Sequence, residues 1–453
     1  MKVVINKIFY YLSRTSTSLV FFYLFVFCLP FFKRLEFFTP YSFFGGRFID
    51  YLTYSMYGFD FLLVTALFLW AVEIILSKKK LVPGSMGIVF SWFLVIVFSF
   101  ISFFFAESLS MGFYYILILL VLFVVYLFIV NKVRSYKDFF ILLNFFIFSV
   151  LCQGFIAIIQ FMKNKSIGLY HLGEQMISPQ IDGVAKTIIN GEKHIRPYGT
   201  FSHPNVLALF LLVGGLVTLY LLFNSQNKRY KIYLIFVMTI LSVALLLTFS
   251  RIAWIVAVVF WGIYIMQKSK IKYQNSKLQF KIKNLKKCFP YYLILLLPLL
   301  LIICLAPSIW TRIDPTLSAT WESLNVRGIV FLKSWVLIKS HLFGVGIGNF
   351  VIQIAGLLNE YPVWMVEPVH NTFVLIMTEI GIAGLFSFIL FLYFVFRKTK
   401  KAPLFLRYIF ILLVFLMFFD HYFWDLRQAQ FLMIVFFGLI VASSLNVKEN
   451  KST

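Results

Sequence analysis

The run Gly112–Val130, "GFYYILILLVLFVVYLFIV", carries no charged residue over a length that crosses a hydrocarbon core about 30 Å thick, which takes roughly 20 apolar residues in a helix. Outward from it the chain repeats the pattern. Further apolar runs lie at Thr15–Phe32, Gly58–Ser77, Ser85–Phe105, Phe139–Met162, Pro204–Phe223, Ile232–Phe249, Ile252–Met266, Tyr291–Ala306, Asn371–Phe396, Leu404–Phe419 and Ala429–Leu445. A chain of 453 residues that is 61% hydrophobic, 20% aromatic and only 13% charged is no soluble enzyme. The alternating pattern of an outer-membrane barrel is absent. The expected fold class is therefore all-α, a polytopic integral membrane protein with about 12 transmembrane helices.

These runs divide the chain into an N-terminal transmembrane scaffold (1–162), an extracytoplasmic loop (163–203), and central transmembrane helices (204–306) interrupted by a lysine-rich cytoplasmic loop (267–289). A long extracytoplasmic loop (307–370), C-terminal transmembrane helices (371–446) and a cytoplasmic tail (447–453) follow. Within the long loop, Glu322–His341 reads as an amphipathic helix, with Val326, Ile329, Val330 and Leu337 on one side and Arg327, Ser334 and His341 sharing another. The first run ends in bulky Phe31, Phe32 and Lys33, so it reads as a retained span rather than a cleaved signal.

Charge sets the orientation. With both termini in the cytoplasm, 27 of the 41 basic residues fall inside and 13 of the 17 acids outside, as the positive-inside rule requires. The net charge of +24 is then topology and contact with anionic lipid, not a nucleic-acid footprint, and no nucleic-acid partner is expected. All six histidines lie on the outer side in this arrangement. The four cysteines show no CxxC spacing, so neither a disulfide framework nor a zinc site is supported.

The polar motifs also gather outside. They are "RPYGTFSHPN" (Arg196–Asn205), "LTFSRIAW" (Leu247–Trp254), "NVRGIVFLKSW" (Asn325–Trp335), "HLFGVGIGNF" (His341–Phe350), "VHNTF" (Val369–Phe373) and "DHYFWD" (Asp420–Asp425). In this order they resemble the O-antigen ligase and polymerase superfamily of bacterial membrane glycosyltransferases, over Arg196 to about Phe396. The resemblance implies a GT-C-like, inverting enzyme of the bacterial inner membrane. Such an enzyme moves a glycan from a polyprenyl diphosphate carrier to a glycan or lipid acceptor, as in lipopolysaccharide synthesis, without metal or cofactor. It also implies an essential histidine and arginines, which map onto His370, Arg251 and Arg327.

The residue chemistry agrees. Outside the membrane a glycosyl donor has to bring its own leaving group, and a lipid diphosphate does. Arginine grips a diphosphate bidentately and keeps its charge, which suits Arg251, Arg327 and Arg196. The acceptor hydroxyl sheds a proton, and a histidine titrating near pH 6.5 is the expected base, here His370 at the start of a span. Asn371 is expected to orient a sugar, and Ser250, His203 and Asn205 to line the substrate site, although His203 before Pro204 also reads as a helix cap. Asp420 and His421 either bind an acceptor sugar or form a solvated turn. Glu379, nine residues beyond His370, faces away from it and is expected to be structural. "GVGIGNF" follows no strand, so it reads as flexible turns near substrate rather than a dinucleotide fingerprint.

Ligase and polymerase share this donor chemistry and differ in the acceptor, so both stay open. A transporter of lipid-linked sugars is the rival from another class, but it would place its polar groups near the midplane. The topology is tested by thiol labelling. In intact cells, an impermeant reagent is expected to modify Ser166→Cys and spare Ser276→Cys; the reverse pattern would invert the orientation.

Overall fold

The computed structural model describes residues 16–31, 33–78, 80–189, 191–274, 318–358 and 360–449. In chain order its helices are α1 (Thr17–Cys28), α2 (Gly58–Ser77), α3 (Met86–Phe103), α4 (Leu109–Lys132), α5 (Tyr136–Lys163), α6 (Pro204–Asn224) and α7 (Lys228–Leu247). There follow α8 (Arg251–Gln274), α9 (Ser318–Ser340), α10 (Phe350–Leu357), α11 (Thr372–Thr399), α12 (Leu404–Leu416), α13 (Tyr422–Asp425) and α14 (Arg427–Glu449). Among the described residues nine of these are long and apolar enough to cross a membrane, and α1 and α12 are shorter apolar helices. In lipid only a helix satisfies every backbone group within one segment, which is why each apolar run takes this form.

Each expected span within the described residues coincides with an apolar helix, most of them to within about four residues at either end. The exception is α8, which runs on to Gln274, eight residues past Met266; α1 stops at Cys28, two residues before Pro30, instead of reaching Phe32. The expected span Tyr291–Ala306 lies outside the described residues. The segment expected to form an amphipathic helix is helical as α9, but its burial does not divide as expected: Ser334, placed on the polar side, is buried along with Val326, Val330 and Leu337, and Ile329 is only half-buried.

Strand pairing is the unexpected element. Between α1 and α2, β1 (Arg34–Phe38) runs antiparallel to β4 (Thr53–Tyr57), and β2 (Phe43–Phe44) pairs with β3 (Arg47–Phe48). Gly45 and Gly46, both at positive φ (55° and 76°), make the two-residue turn between β2 and β3, a geometry glycine adopts without strain. A second hairpin pairs β5 (Lys186–Ile189) with β6 (Glu192–Ile195).

The chain forms two compact units, one of residues 1–33 and 140–317, the other of 34–139 and 318–453. In the first, α6 is almost wholly buried and packs on α7 and α8. Gln153 and Gln160 of α5, seven residues apart and so on one face, hold the following loop by its backbone. Gln160 Oε1 accepts from the amides of Tyr198 (3.0 Å) and Gly199 (2.8 Å), and Gln153 Oε1 accepts from that of Thr200 (2.9 Å).

In the second unit α11 lies along α3 and α14 against α4. Arg427 at the head of α14 pairs with Asp60 of α2 at 2.5 Å and lies over the rings of Tyr57 and Phe431. Helix α11 is broken at Gly381 (φ 75°, ψ 177°). The break frees carbonyls in an apolar setting, where each costs several kcal/mol unless paired. The loop before α10 pairs them: Val345 donates to Thr378 O (2.9 Å) and Gly346 to Glu379 O (3.1 Å). The contact is so close that a Cβ on Gly344 (φ 88°) would stand 2.2 Å from Glu379 O, and one on Gly381 2.5 Å from Leu342 O.

This corrects the reading of "GVGIGNF" as flexible turns near substrate. Gly344 to Phe350 are all buried, and Asn349 ties the loop to Ser108 through both ends of its amide (2.7 and 3.2 Å). The expectation for Glu379 holds. Its carboxylate accepts from Trp424 Nε1 (2.7 Å) and from the amide of Phe350 (3.4 Å).

Because the loop and the helix break fit only without side chains, Gly344→Ala is expected to cost at least about 2 kcal/mol through backbone strain and overpacking. Gly356→Ala, at a glycine whose added Cβ meets nothing within 4 Å, is expected to be neutral or slightly stabilising. Unfolding in detergent compares the two; equal stability would show that the loop is not seated on the break.

Candidate functional site

Five of the expected residues fall in each unit, and each group has its own architecture. In the first unit the turn Thr248–Ser250 between α7 and α8 carries Phe249 at φ 49°, a left-handed conformation rare for a bulky side chain. Phe249 tolerates it because its ring is fully buried, against Phe161 and Trp254. Arg196 reinforces the turn: its Nε donates to Thr248 O (2.7 Å) and its Nη2 to Asn205 Oδ1 (3.0 Å). The turn sets Ser250 and Arg251 at the head of α8. His203 takes the capping position, with Nδ1 accepting from the amide of Asn205 at 3.2 Å. Arg196, Asn205 and His203 thus spend these atoms on the scaffold that presents Arg251.

The second unit holds a compact charged cluster. His370 lies just before α11, and its neighbour Asn371 caps that helix by accepting from the amide of Val374 (3.0 Å). Thr372 and Asn371 then bind the loop after α12: the Thr372 amide donates to Met417 O (2.8 Å), Thr372 Oγ1 to Asp420 O (2.7 Å) and Asn371 Nδ2 to Phe418 O (3.1 Å). This fixes His370 beside Asp420 and His421. Both are 6% exposed, so the alternative of a solvated turn is set aside.

His370 is held at both ring nitrogens, Nδ1 by Asp420 Oδ1 (3.2 Å) and Nε2 by Glu367 Oε1 (3.0 Å). An ionised carboxylate only accepts, so both nitrogens carry protons and the ring is an imidazolium. Burial lowers the histidine's pKa, but the bonds to Asp420 and Glu367 outweigh it and raise the value from 6.5 to about 9. Burial likewise opposes ionisation of Asp420 and Glu367, yet His370, His421 and Arg327 bring both below their ordinary values. Arg327 of α9 is therefore within electrostatic reach of the whole cluster. The expectation of a neutral His370 titrating near 6.5 as a base is corrected, because its two carboxylate neighbours claim the lone pair that a base needs.

Three residues were missed from the sequence. Tyr51, in the segment between α1 and α2, stands edge-on to His421 with ring centroids 5.6 Å apart, and Arg34 and Asp50 pair beside it. Burial and the carboxylates of Asp425 and Glu367 push the Tyr51 phenol upward, so it stays protonated. The first part of the chain was read as scaffold, and no polar motif drew attention to "RFIDYL" (Arg47–Leu52).

One nitrogen each of His370 and His421 and an oxygen of Asp420 lie within 4.8 Å of one another, close enough to share a metal ion. Sequence spacing does not reveal this grouping, because its members come from loops 50 residues apart. The hydrogen bonds at His370 are those of a ring carrying two protons.

Residues 234–389, about a third of the chain, match the family model described as O-antigen ligase. The matched segment contains Ser250, Arg251, Arg327, His370 and Asn371, while Arg196, His203, Asn205, Asp420 and His421 flank it. No curated protein matches the chain.

The His370 cluster has a pH signature. A histidine whose folded pKa is raised stabilises the fold fully below its ordinary value of about 6.5 and ceases to do so as pH climbs through about 9. In nanodiscs the unfolding temperature is expected to fall across that window, and His370→Gln to remove the fall. A flat parental profile from pH 7 to 10 would exclude the buried imidazolium.

Proposed function

We propose that this multi-pass membrane protein, with its match to the O-antigen ligase model, transfers a glycan from a polyprenyl diphosphate carrier to an acceptor hydroxyl at the extracytoplasmic surface, in cell-surface polysaccharide synthesis. The observation that carries the reading is a histidine locked as a cation within reach of Arg327, at the N-terminus of a spanning helix. Fixed positive charge and a helix N-terminus both favour an anionic group at the membrane surface. In the first unit, Arg251 stands at the head of α8, directly after the turn that holds Phe249 at positive φ, and is a guanidinium suited to a diphosphate.

In the reaction the acceptor oxygen bonds to the anomeric carbon as the carbon–oxygen bond to the diphosphate breaks. The electron pair of that bond leaves on the diphosphate, and the hydroxyl proton passes to a base. Donors already aimed at the diphosphate lower the barrier, because the charge they meet is larger in the transition state than in the bound donor. His370 has both N–H groups on Asp420 and Glu367, so it contributes charge and not a hydrogen bond to the diphosphate. Polymerisation, with a second carrier-linked chain as acceptor, uses the same steps.

The test is transfer by purified protein in nanodiscs, given a polyprenyl diphosphate-linked glycan and a glycan acceptor. Turnover is expected in the presence of a chelator. Arg251→Lys is expected to lose about 10²-fold, the usual effect of removing one well-placed donor, since an ammonium cannot reproduce a bidentate grip. Parental turnover in Arg251→Lys would make it a headgroup anchor, and loss on chelation restored by metal would give the His370 cluster a metal-binding role. In a deletion strain, long unattached chains on the carrier indicate a ligase and single attached repeat units a polymerase.

A further inference from the structure

The cluster holds two histidines with opposite bonding, and the difference assigns the proton. Resting on the glycosyl-transfer reading above, the geometry points to His421, oriented by Asp425, as the base that takes the acceptor's proton. His421 Nδ1 lies 2.9 and 2.8 Å from the two oxygens of Asp425, one helical turn on. A carboxylate accepts, so Nδ1 carries the hydrogen, and in the neutral ring Nε2 is left with the lone pair. Among the described residues no hydrogen bond is found at Nε2; Asp420 Oδ1 lies 3.7 Å from it, beyond bonding range. That oxygen is already engaged by the His421 amide (3.1 Å) and by His370 Nδ1 (3.2 Å).

The ring is held in place from several sides. Asp425 and Tyr422 come from α13, which His421 precedes as the N-cap residue. His370 and Glu367 come from the loop before α11, with the two imidazole centroids 5.2 Å apart. Tyr51 abuts it from the segment between α1 and α2 at 77° to its plane, and Asp420 precedes it in the chain. Arg327 acts on the cluster from α9. When the acceptor oxygen attacks, its proton moves to Nε2, and the imidazolium formed is stabilised by Asp425 at Nδ1. His370, which has no lone pair to offer, keeps its charge throughout. The pair divides the work: one histidine is a permanent cation and its neighbour cycles through a proton.

The experiment uses the nanodisc transfer assay. His421→Gln is expected to lower kcat by about 10²- to 10⁴-fold with donor KM little changed, since an amide can hold a hydroxyl but not take its proton. A solvent deuterium isotope effect on parental kcat should vanish in His421→Gln and persist in His370→Gln at lower overall rate, and Asp425→Asn should lower kcat with donor KM little changed. Imidazole added to His421→Ala should restore part of the turnover. If His421→Gln fails to accumulate, Asp425→Asn decides, and a parental kcat there overturns the assignment. Near-parental kcat in His421→Gln overturns it directly. A parent that turns over no lipid-linked donor overturns the glycosyl-transfer reading itself, which is a different result from a working parent with an indifferent His421.

Discussion

A break in one spanning helix, closed by a glycine loop, is the constraint from which the second unit is built. Where α11 stops being helical at Gly381, two amides of the loop 344–346 replace the missing partners. The loop's own polar groups are satisfied in turn, by Ser102 Oγ for the Ile347 amide and by the Asn349 side chain for Ser108. The repair therefore joins α3, α4, α10 and α11 in one hydrogen-bonded seam. Glu379, at the break, extends it to Trp424 between the two last spans. Everything that aligns His370 with Asp420 hangs from the half of α11 above this seam.

The charged cluster follows a different logic from the seam. Burying an ion costs several kcal/mol, and a pair repays this only when its remaining hydrogen-bonding positions are also satisfied. His370 meets that condition with a carboxylate on each nitrogen, so the ring is better placed to hold a charge than to exchange a proton. His421 meets it on one side only. Chemically identical side chains, with centroids 5.2 Å apart, are thereby given different tasks by the count of their carboxylate partners.

How much of this was legible follows from the range over which each signal acts. The spans were legible because twenty apolar residues have one solution in lipid, and Gly58–Ser77 was read to the residue. Glu379 was legible too, since its phase on the helix excludes His370. The hairpins had a local signal in Gly45–Gly46 and in Asn190–Gly191, turn pairs that the dominance of long apolar runs obscured. The glycine loop was misread because its close contact lies with residues more than thirty positions away, and flexibility is what glycines suggest in isolation. His370 was found by its place at a span start, but its protonation depends on Glu367 and Asp420, and a pKa cannot be read before its neighbours are known. Tyr51 carried no signal at all.

The ion pair between Asp60 and Arg427 bears on how the protein is made. These residues are 367 positions apart, and both lie at the heads of spanning helices. At about 5–20 residues per second, synthesis delivers Arg427 roughly 20–70 s after Asp60. For that interval the second helix has to wait with its carboxyl at the membrane surface, in water or carrying a proton, and it can settle to its final depth only once the last span arrives. The same wait applies to the cluster, which draws Tyr51 from the beginning of the chain and His421 from near its end. A chain released early is thus left without its charged centre.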